Sequence, residues 1–287
     1  MKNGGKEGRT VLEEMRMSVD AELERLLADD GSPLFEVLRY AVLGGGKRFR
    51  PLLLLASGEA FRAGRATLLP YACAVELIHN YSLVHDDLPS MDNDEMRRGK
   101  PSCHKAFGEG PALLAGDGLL ALAFEVIAGA PCPAGHGERK EAAFREIAAA
   151  AGLGGMIKGQ WMDISLSPGE INEDLLIELI QKKTGALILA AVKAGALLAG
   201  APARGLAAVA EYGEAIGLAF QLRDDLADAE RSGSPSGIDA VALFGREGVR
   251  ERLKGCLTRA IGALDAGHIA SAELRHLAGT LIPERGM

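Results

Sequence analysis

The chain has 287 residues, 48% of them hydrophobic and 25% charged, with a formal net charge of −7. That length holds one large domain or two small ones around a sizeable core, and the acidic balance argues against nucleic acid as the main partner. Anionic small molecules stay open as substrates, because a divalent cation and local Arg or Lys can reverse the field inside a cleft. Aromatics make up only 5% while alanine and leucine dominate, which favours helix over sheet. Cys73, Cys103, Cys132 and Cys256 lack CxxC spacing, so reduced thiols in a cytoplasmic protein are expected. The opening MKNGGKEGRT has no apolar segment of the kind a signal peptide needs. No apolar run approaches the ~20 residues that span a bilayer; the longest, around 185–201, is interrupted by Lys193. A soluble, non-spanning protein is expected.

In chain order, residues 1–9 are polar and glycine-rich and read as a disordered tail, with one domain over 10–287. From Val11 to Ala28, Leu12, Met15, Val19, Leu23 and Leu26 recur at helical spacing. A short helix is predicted over 34–43; Gly44, Gly45 and Gly46 end it, and Pro51 opens the next, to about Phe61. A helix over Thr67–Val84 leads into a knot of charge, followed by a loop around 99–110. Pro111 starts a long apolar helix to about Ile127, and residues 129–137 read as a surface turn. Helices are predicted over about 138–152, 154–163, 172–199 with a possible break, and 203–228. Residues 231–237 read as a loop, and 239–280 as two more helices. No strand-like alternation, internal repeat or linker is visible, so the fold class is all-α in a single domain. Most of the 37 glycines mark close helix packing and loop ends, with Gly44–Gly46 the exception.

The chain is organised around ELIHNYSLVHDDLPSMDNDEMRRGK at 76–100. Asp86 and Asp87 arrive together, with Asp92, Asp94 and Glu95 close behind and Arg97 and Arg98 next. Packed carboxylates repel one another unless something positive sits among them, and oxygen-only clusters suit Mg²⁺. Guanidinium groups suit phosphate oxygens. The combination points to a metal–diphosphate site. Asp86 and Asp92 are six residues apart, about 120° off each other on an ideal helix. Pro89 lies between them and breaks a helix interior, so an irregular turn should bring Asp92 back beside Asp86. A second cluster, FQLRDDLAD at 220–228, puts Asp224 and Asp228 on one helix face. Lys47, Arg48 and Arg50 follow three glycines, a setting in which backbone and cations can approach a phosphate. Lys183 sits amid alanine and leucine, a costly position without a partner. Each feature taken alone also has a bland reading: a solvated acidic face, a basic surface turn, a snorkelling lysine.

Together these stretches carry a resemblance. GGGKRFRP at 44–51, DDLPSMD with its two arginines, LLAGDGLL at 113–120, GMIKGQWMD at 155–163, KTGALI at 183–188 and FQLRDD at 220–225 resemble, in order, the trans-isoprenyl diphosphate synthases of the bacterial farnesyl diphosphate synthase type. The resemblance implies a polyprenyl synthetase domain over 10–287, a bundle of ten or more helices around a deep central cavity, and a homodimer. It implies Mg²⁺-dependent condensation of isopentenyl diphosphate with dimethylallyl or geranyl diphosphate to a C15 product. The implied metal residues are Asp86, Asp87, Asp92 and Asp224: Asp86, Asp92 and Asp224 would bind Mg²⁺ directly, and Asp87, with Asp225 and Asp228, would stand behind them or act through water. Lys47, Arg50, His79 and Arg98 would hold isopentenyl diphosphate, and Arg97 the allylic diphosphate. Lys183 would bind the leaving diphosphate, the oxygens of Thr184 and Gln221 would steady the cation, and Gln160 and Asp163 would support them. Tyr81 and Ser82 would floor the product pocket, and 113–120 would line its tunnel.

There is one departure. A glycine–lysine pair usual after the second acidic cluster is replaced by Gly237–Ile238–Asp239, with Arg231 and Arg246 the nearest cations, and the C-terminal ERGM lacks the usual basic ending. Alternatives are a geranyl or geranylgeranyl diphosphate synthase, and a non-catalytic partner subunit of such a synthase. A class I terpene cyclase shares the acidic clusters but has no need of Lys47, Arg50, His79 and Arg98.

Overall fold

The computed structural model describes residues 4–28, 31–132, 134–232 and 239–283. Helix α1 (Gly4–Leu26) buries Leu12, Met15, Val19 and Leu23, the stripe that its spacing predicts. It begins at Gly4, so the stretch read as a disordered tail is helical over its described part. The Ser32 hydroxyl accepts from Leu34 N at the start of α2 (Pro33–Leu43). Helix α3 (Phe49–Ala60) starts two residues before Pro51, from a left-handed Arg48. Pro51 then falls in the first turn, where its missing N–H costs nothing. Helix α4 (Arg65–Asp86) carries the organising stretch.

The segment expected to be a plain loop, 99–110, holds more structure than that. A tight hairpin pairs β1 (Met96–Arg97) with β2 (Lys100–Pro101), and α5 (Cys103–Phe107) follows at once. Glycine at 99, with φ 76°, makes the reversal. Helix α6 (Glu109–Gly129) also corrects an expectation. At 21 residues and a mean hydropathy of 1.7 it is long and apolar enough to cross a membrane by length and composition. Asp117 and Glu125 interrupt its apolar run, which is why a search for unbroken runs passes over it. It lies against α4 through Ala112, Ala115, Gly116, Leu119, Ala123 and Ile127.

The rest follows the predicted order: α7 (Gly137–Ala151), α8 (Met156–Ser165), α9 (Glu173–Ile180), α10 (Ala186–Ala199), α11 (Ala203–Ser232), α12 (Ala240–Ala266) and α13 (Ala272–Gly279). The predicted break in 172–199 is one turn of π-helix, Gln181–Gly185, joining α9 to α10. Gly245, at φ 68°, kinks α12. Helix α10 lies against α3, α7 and α11; α4 lies against α3 and α6; α12 runs along α11. Their shared core includes Tyr71, Leu53, Leu54, Leu77, Ile78 and Tyr212, all fully buried. The Tyr212 hydroxyl donates to Leu274 O at 2.7 Å, tying α11 to α13. Burying so many large apolar side chains is what holds the bundle.

Candidate active site

Helix α4 ends in the first acidic cluster, and the chain then turns back. Asp92 N donates to Asp86 O at 2.9 Å, and a left-handed Asn93 donates to Leu88 O. This is the irregular turn that Pro89 and the six-residue spacing predict. Burial pushes the Asp86 carboxyl up to about 7, with Lys183 opposing and Asp92 adding to the shift. Asp92 is raised as well, again mainly by burial. Like charges packed in a desolvated wall are the setting that a divalent cation relieves, and the donors are all oxygen, as Mg²⁺ prefers. Asp87, expected in the same metal set, is committed elsewhere. It is buried and ion-paired with Arg97, which also reaches Asp94 at 3.0 Å. The hydrogen bond to Asp87 leads in raising the Arg97 pKa.

The basic side is built on α3 and α4. Gly45 and Gly46, at φ 98° and 139°, turn the chain into Lys47, which is exposed. Arg48 does not join a phosphate cradle. Its Nε donates to Asp20 at 2.8 Å, one terminal nitrogen to Glu76 at 2.8 Å and the other to Val42 O at 2.9 Å. Glu76 also accepts from Asn80 Nδ2 at 3.2 Å. The Asn80 oxygen accepts from Arg98 at 3.2 Å, and Arg98 reaches Gly45 O at 2.8 Å. Sequence reasoning misses this chain of bonds, which runs from Asp20 to Arg98. Arg50 is buried over the Phe220 ring at 5.4 Å, and its Nε has no partner. Burial pushes it down to about 10, against the pull of Glu76 and Asp224. Burial and four nearby arginines hold His79 well below its usual value, so it stays neutral.

The π-turn supplies the third wall. Lys183 pairs with Asp163 on α8. Burial opposes its charge, but Asp163, Asp86 and Asp92 outweigh that and raise its pKa. Thr184 donates to Gln221 Oε1 at 2.8 Å, and Gln221 Nε2 donates to Asp225 Oδ1 at 2.8 Å. Asp225 also accepts from Ala240 N at 2.9 Å, so it fastens α11 to the start of α12. Close approach is what permits the turn. A Cβ on Gly159 would lie 2.1 Å from Lys183 N, and one on Gly217 would lie 2.8 Å from Gly185 Cα.

Two chambers meet at this point. One, of about 470 Å³, is lined by Tyr81, Ser82, His85, Asp86, Leu113, Trp161 and Lys183 among others. The other, of about 720 Å³, is lined by Lys47, Arg48, Arg97, Arg98, Gln221 and Asp224 among others. Arg50, His79, Leu83 and Thr184 line both. In the second acidic cluster Asp224 contacts Arg223 at 3.0 Å and Asp228 pairs with Arg231. Asp224 faces the basic chamber, while the Asp228 side chain is 60% exposed. Among the described residues no three carboxylates or imidazoles converge tightly enough to hold a metal unaided. Gly237 and Ile238, at the expected lysine, lie outside the described residues. Asp239 caps α12 by accepting from Ala242 N. Arg246 donates to Ala229 O, so it is turned onto α11.

The sequence and the fold have known counterparts. The farnesyl diphosphate synthase of Geobacillus stearothermophilus is 40% identical over 279 residues, 93% of this chain and 90% of that protein. The Escherichia coli K12 farnesyl diphosphate synthase is 43% identical over 223 residues, 77% of this chain and 72% of that one. A crystal structure of a geranyltransferase from Legionella pneumophila matches with a TM-score of 0.88 at 35% identity, covering 98% of both chains. The polyprenyl synthetase family model matches residues 32–239. With that match and the all-α isoprenoid synthase fold of its relatives, the chain belongs to the polyprenyl synthetase family.

Proposed function

We propose that the chain is a trans-prenyltransferase that condenses isopentenyl diphosphate with dimethylallyl or geranyl diphosphate to give farnesyl diphosphate. The observation that carries this reading is the pair of chambers sharing Arg50, His79, Leu83 and Thr184, one apolar below Asp86, the other basic. Two anionic substrates need two such seats, whose common wall is where their carbon ends meet. In the basic chamber Lys47, Arg50 and Arg98 hold the diphosphate of isopentenyl diphosphate, and neutral His79 adds a hydrogen bond. The unpartnered Arg50 Nε is a buried donor awaiting an acceptor. Asp86, Asp92 and Asp224 would hold Mg²⁺, which when bound would supply the positive charge that an allylic diphosphate needs as a leaving group. Lys183 and Arg97 orient the same diphosphate, with Asp163 and Asp87 holding those cations in position.

The oxygens of Thr184 and Gln221 steady the allylic cation as fixed dipoles. Asp225 and Thr184 hold the Gln221 amide, so its orientation is set before substrate arrives. Holding the cation against the second double bond supplies much of the rate. Tyr81 and Ser82 floor the apolar chamber and stop growth at C15. A homodimer is supported by the exposed Leu114 on α6, and a reducing cytoplasmic setting by the free thiols of Cys73, Cys103 and Cys256.

The test incubates purified protein with Mg²⁺, isopentenyl diphosphate and dimethylallyl diphosphate, then sizes the dephosphorylated products. A C15 alcohol is expected. A main product of C10 or C20 would replace the stated chain length, and no prenyl alcohol at all would overturn the reading.

A further inference from the structure

Within the apolar chamber, Tyr81 is backed by a second ring of the lining, His85. Tyr81 and His85 are one turn apart on α4 and share its inner face. Their ring centroids lie 5.8 Å apart at an interplanar angle of 82°, the edge-to-face arrangement that aromatic quadrupoles favour. His85 is itself anchored on a second helix. Its Nε2 lies 3.0 Å from Leu113 O on α6. A carbonyl oxygen can only accept, so Nε2 carries the proton and donates. The Asp117 carboxylate, 3.9 Å away, favours that donor. The ring also fills space that any side chain at residue 116 would need, since a Cβ on Gly116 would lie 2.0 Å from His85 Nε2. The imidazole is thus seated in a notch on α6, bonded at its far edge, with its other side against the Tyr81 ring.

We propose that the seat formed by Gly116 and Leu113 O makes His85 a positioning residue for product length, bracing Tyr81 against the growing isoprenoid tail. The proposal rests on the synthase reading above. A prenyl chain lengthening into this chamber runs against the Tyr81 ring that lines it. Tyr81 yields only if its ring swings, and the ring behind it cannot retreat because α6 occupies that side. His85 lines the chamber beside Tyr81, and because it acts on the tail by fixing the Tyr81 ring, its effect belongs in the product ratio more than in substrate capture.

The experiment sizes the dephosphorylated products made from geranyl diphosphate and isopentenyl diphosphate with Mg²⁺, reading the C20:C15 ratio within each reaction. That ratio does not depend on how much of a variant is active. His85→Ala is expected to raise it roughly tenfold, the scale of discrimination that steric fit in an apolar pocket provides. His85→Gln keeps a donor at similar reach without the ring, and is expected to raise the ratio too. Gly116→Ala is expected to raise it by unseating the ring, and to add nothing in the His85→Ala background, where no ring remains to be struck. Tyr81→Ala with His85→Ala is expected to match Tyr81→Ala alone. If both His85 variants and Gly116→Ala keep the parent ratio while the parent makes C15, the brace is overturned and the synthase reading stands. A parent that forms no prenyl alcohol overturns the synthase reading itself.

Discussion

Arg48 and Arg50 are two residues apart and have opposite fates. Arg48 spends its donors on Asp20, Glu76 and Val42 O, while Arg50 keeps an unpartnered Nε beside the basic chamber. The Arg48 and Glu76 side chains are only 3% and 2% exposed. Glu76→Ala therefore strips Arg48 of its buried partner and leaves it the more exposed Asp20, and a loss of about 1–3 kcal/mol is expected in urea unfolding. A loss under about 1 kcal/mol would mean that the pair is not structural. Asp86→Ala and Asp224→Ala are each expected to abolish product formation with the circular dichroism spectrum unchanged. Normal turnover by either variant would remove that residue from the metal set. The run KRFR announces cations, but the direction each one faces depends on Asp20 and Glu76, each 28 residues away. Such long-range pairs leave no local mark. The commitment of Asp87 to Arg97 is hidden for the same reason: in sequence it looks like the twin of Asp86.

Among elements, the π-turn at Gln181–Gly185 has the most consequences. It brings Lys183 to Asp163 and Thr184 to Gln221, joining α8 and α11 through consecutive residues. Gly159→Ala would force a methyl to within 2.1 Å of Lys183 N. The expected result is a loss of about 1–3 kcal/mol in stability, typical of overpacking, together with a fall in kcat as Lys183 and Thr184 shift. A variant with unchanged kcat would show that the turn tolerates displacement. The break itself is legible, because a lysine followed by threonine and glycine sits badly in an apolar helix. Its π form is not, since that depends on how closely α8 approaches. The Asp86–Asp92 turn is the most readable element of all: proline and spacing leave few other ways to join the two residues. The hairpin and α5 are not legible in the sequence, because two-residue strands and a five-residue helix carry too few positions to establish a period.

For the whole molecule, the site works against the stability of the fold. Burial raises Asp86 to about 7 and Asp225 to about 6, above an ordinary carboxyl near 3.8 in the unfolded chain. A carboxyl raised on folding favours the folded state fully only below its unfolded value. That contribution is lost as pH climbs through the folded value. Metal-free protein is thus expected to lose stability from these groups between about pH 4 and 7. Asp86→Asn should raise the Tm at pH 7.5, without metal, and leave it unchanged near pH 4. Equal effects at both pH values would mean that Asp86 is not strained. The all-α class and the order of helices follow from composition and period alone. The apolar character of α6 was harder to read, because two acidic residues break its run while its overall composition stays apolar.

Trp161 is the only tryptophan of the chain and lines the apolar chamber, 67% exposed. Every photon of indole emission therefore originates beside the chamber proposed to seat the isoprenoid tail. The molecule carries its own optical probe. Filling the chamber with a non-hydrolysable allylic diphosphate analogue should dry the indole and shift its emission to the blue. Titrating that shift would yield a Kd without turnover, and Asp224→Ala should weaken it. An emission spectrum indifferent to the analogue would mean that the tail lies elsewhere.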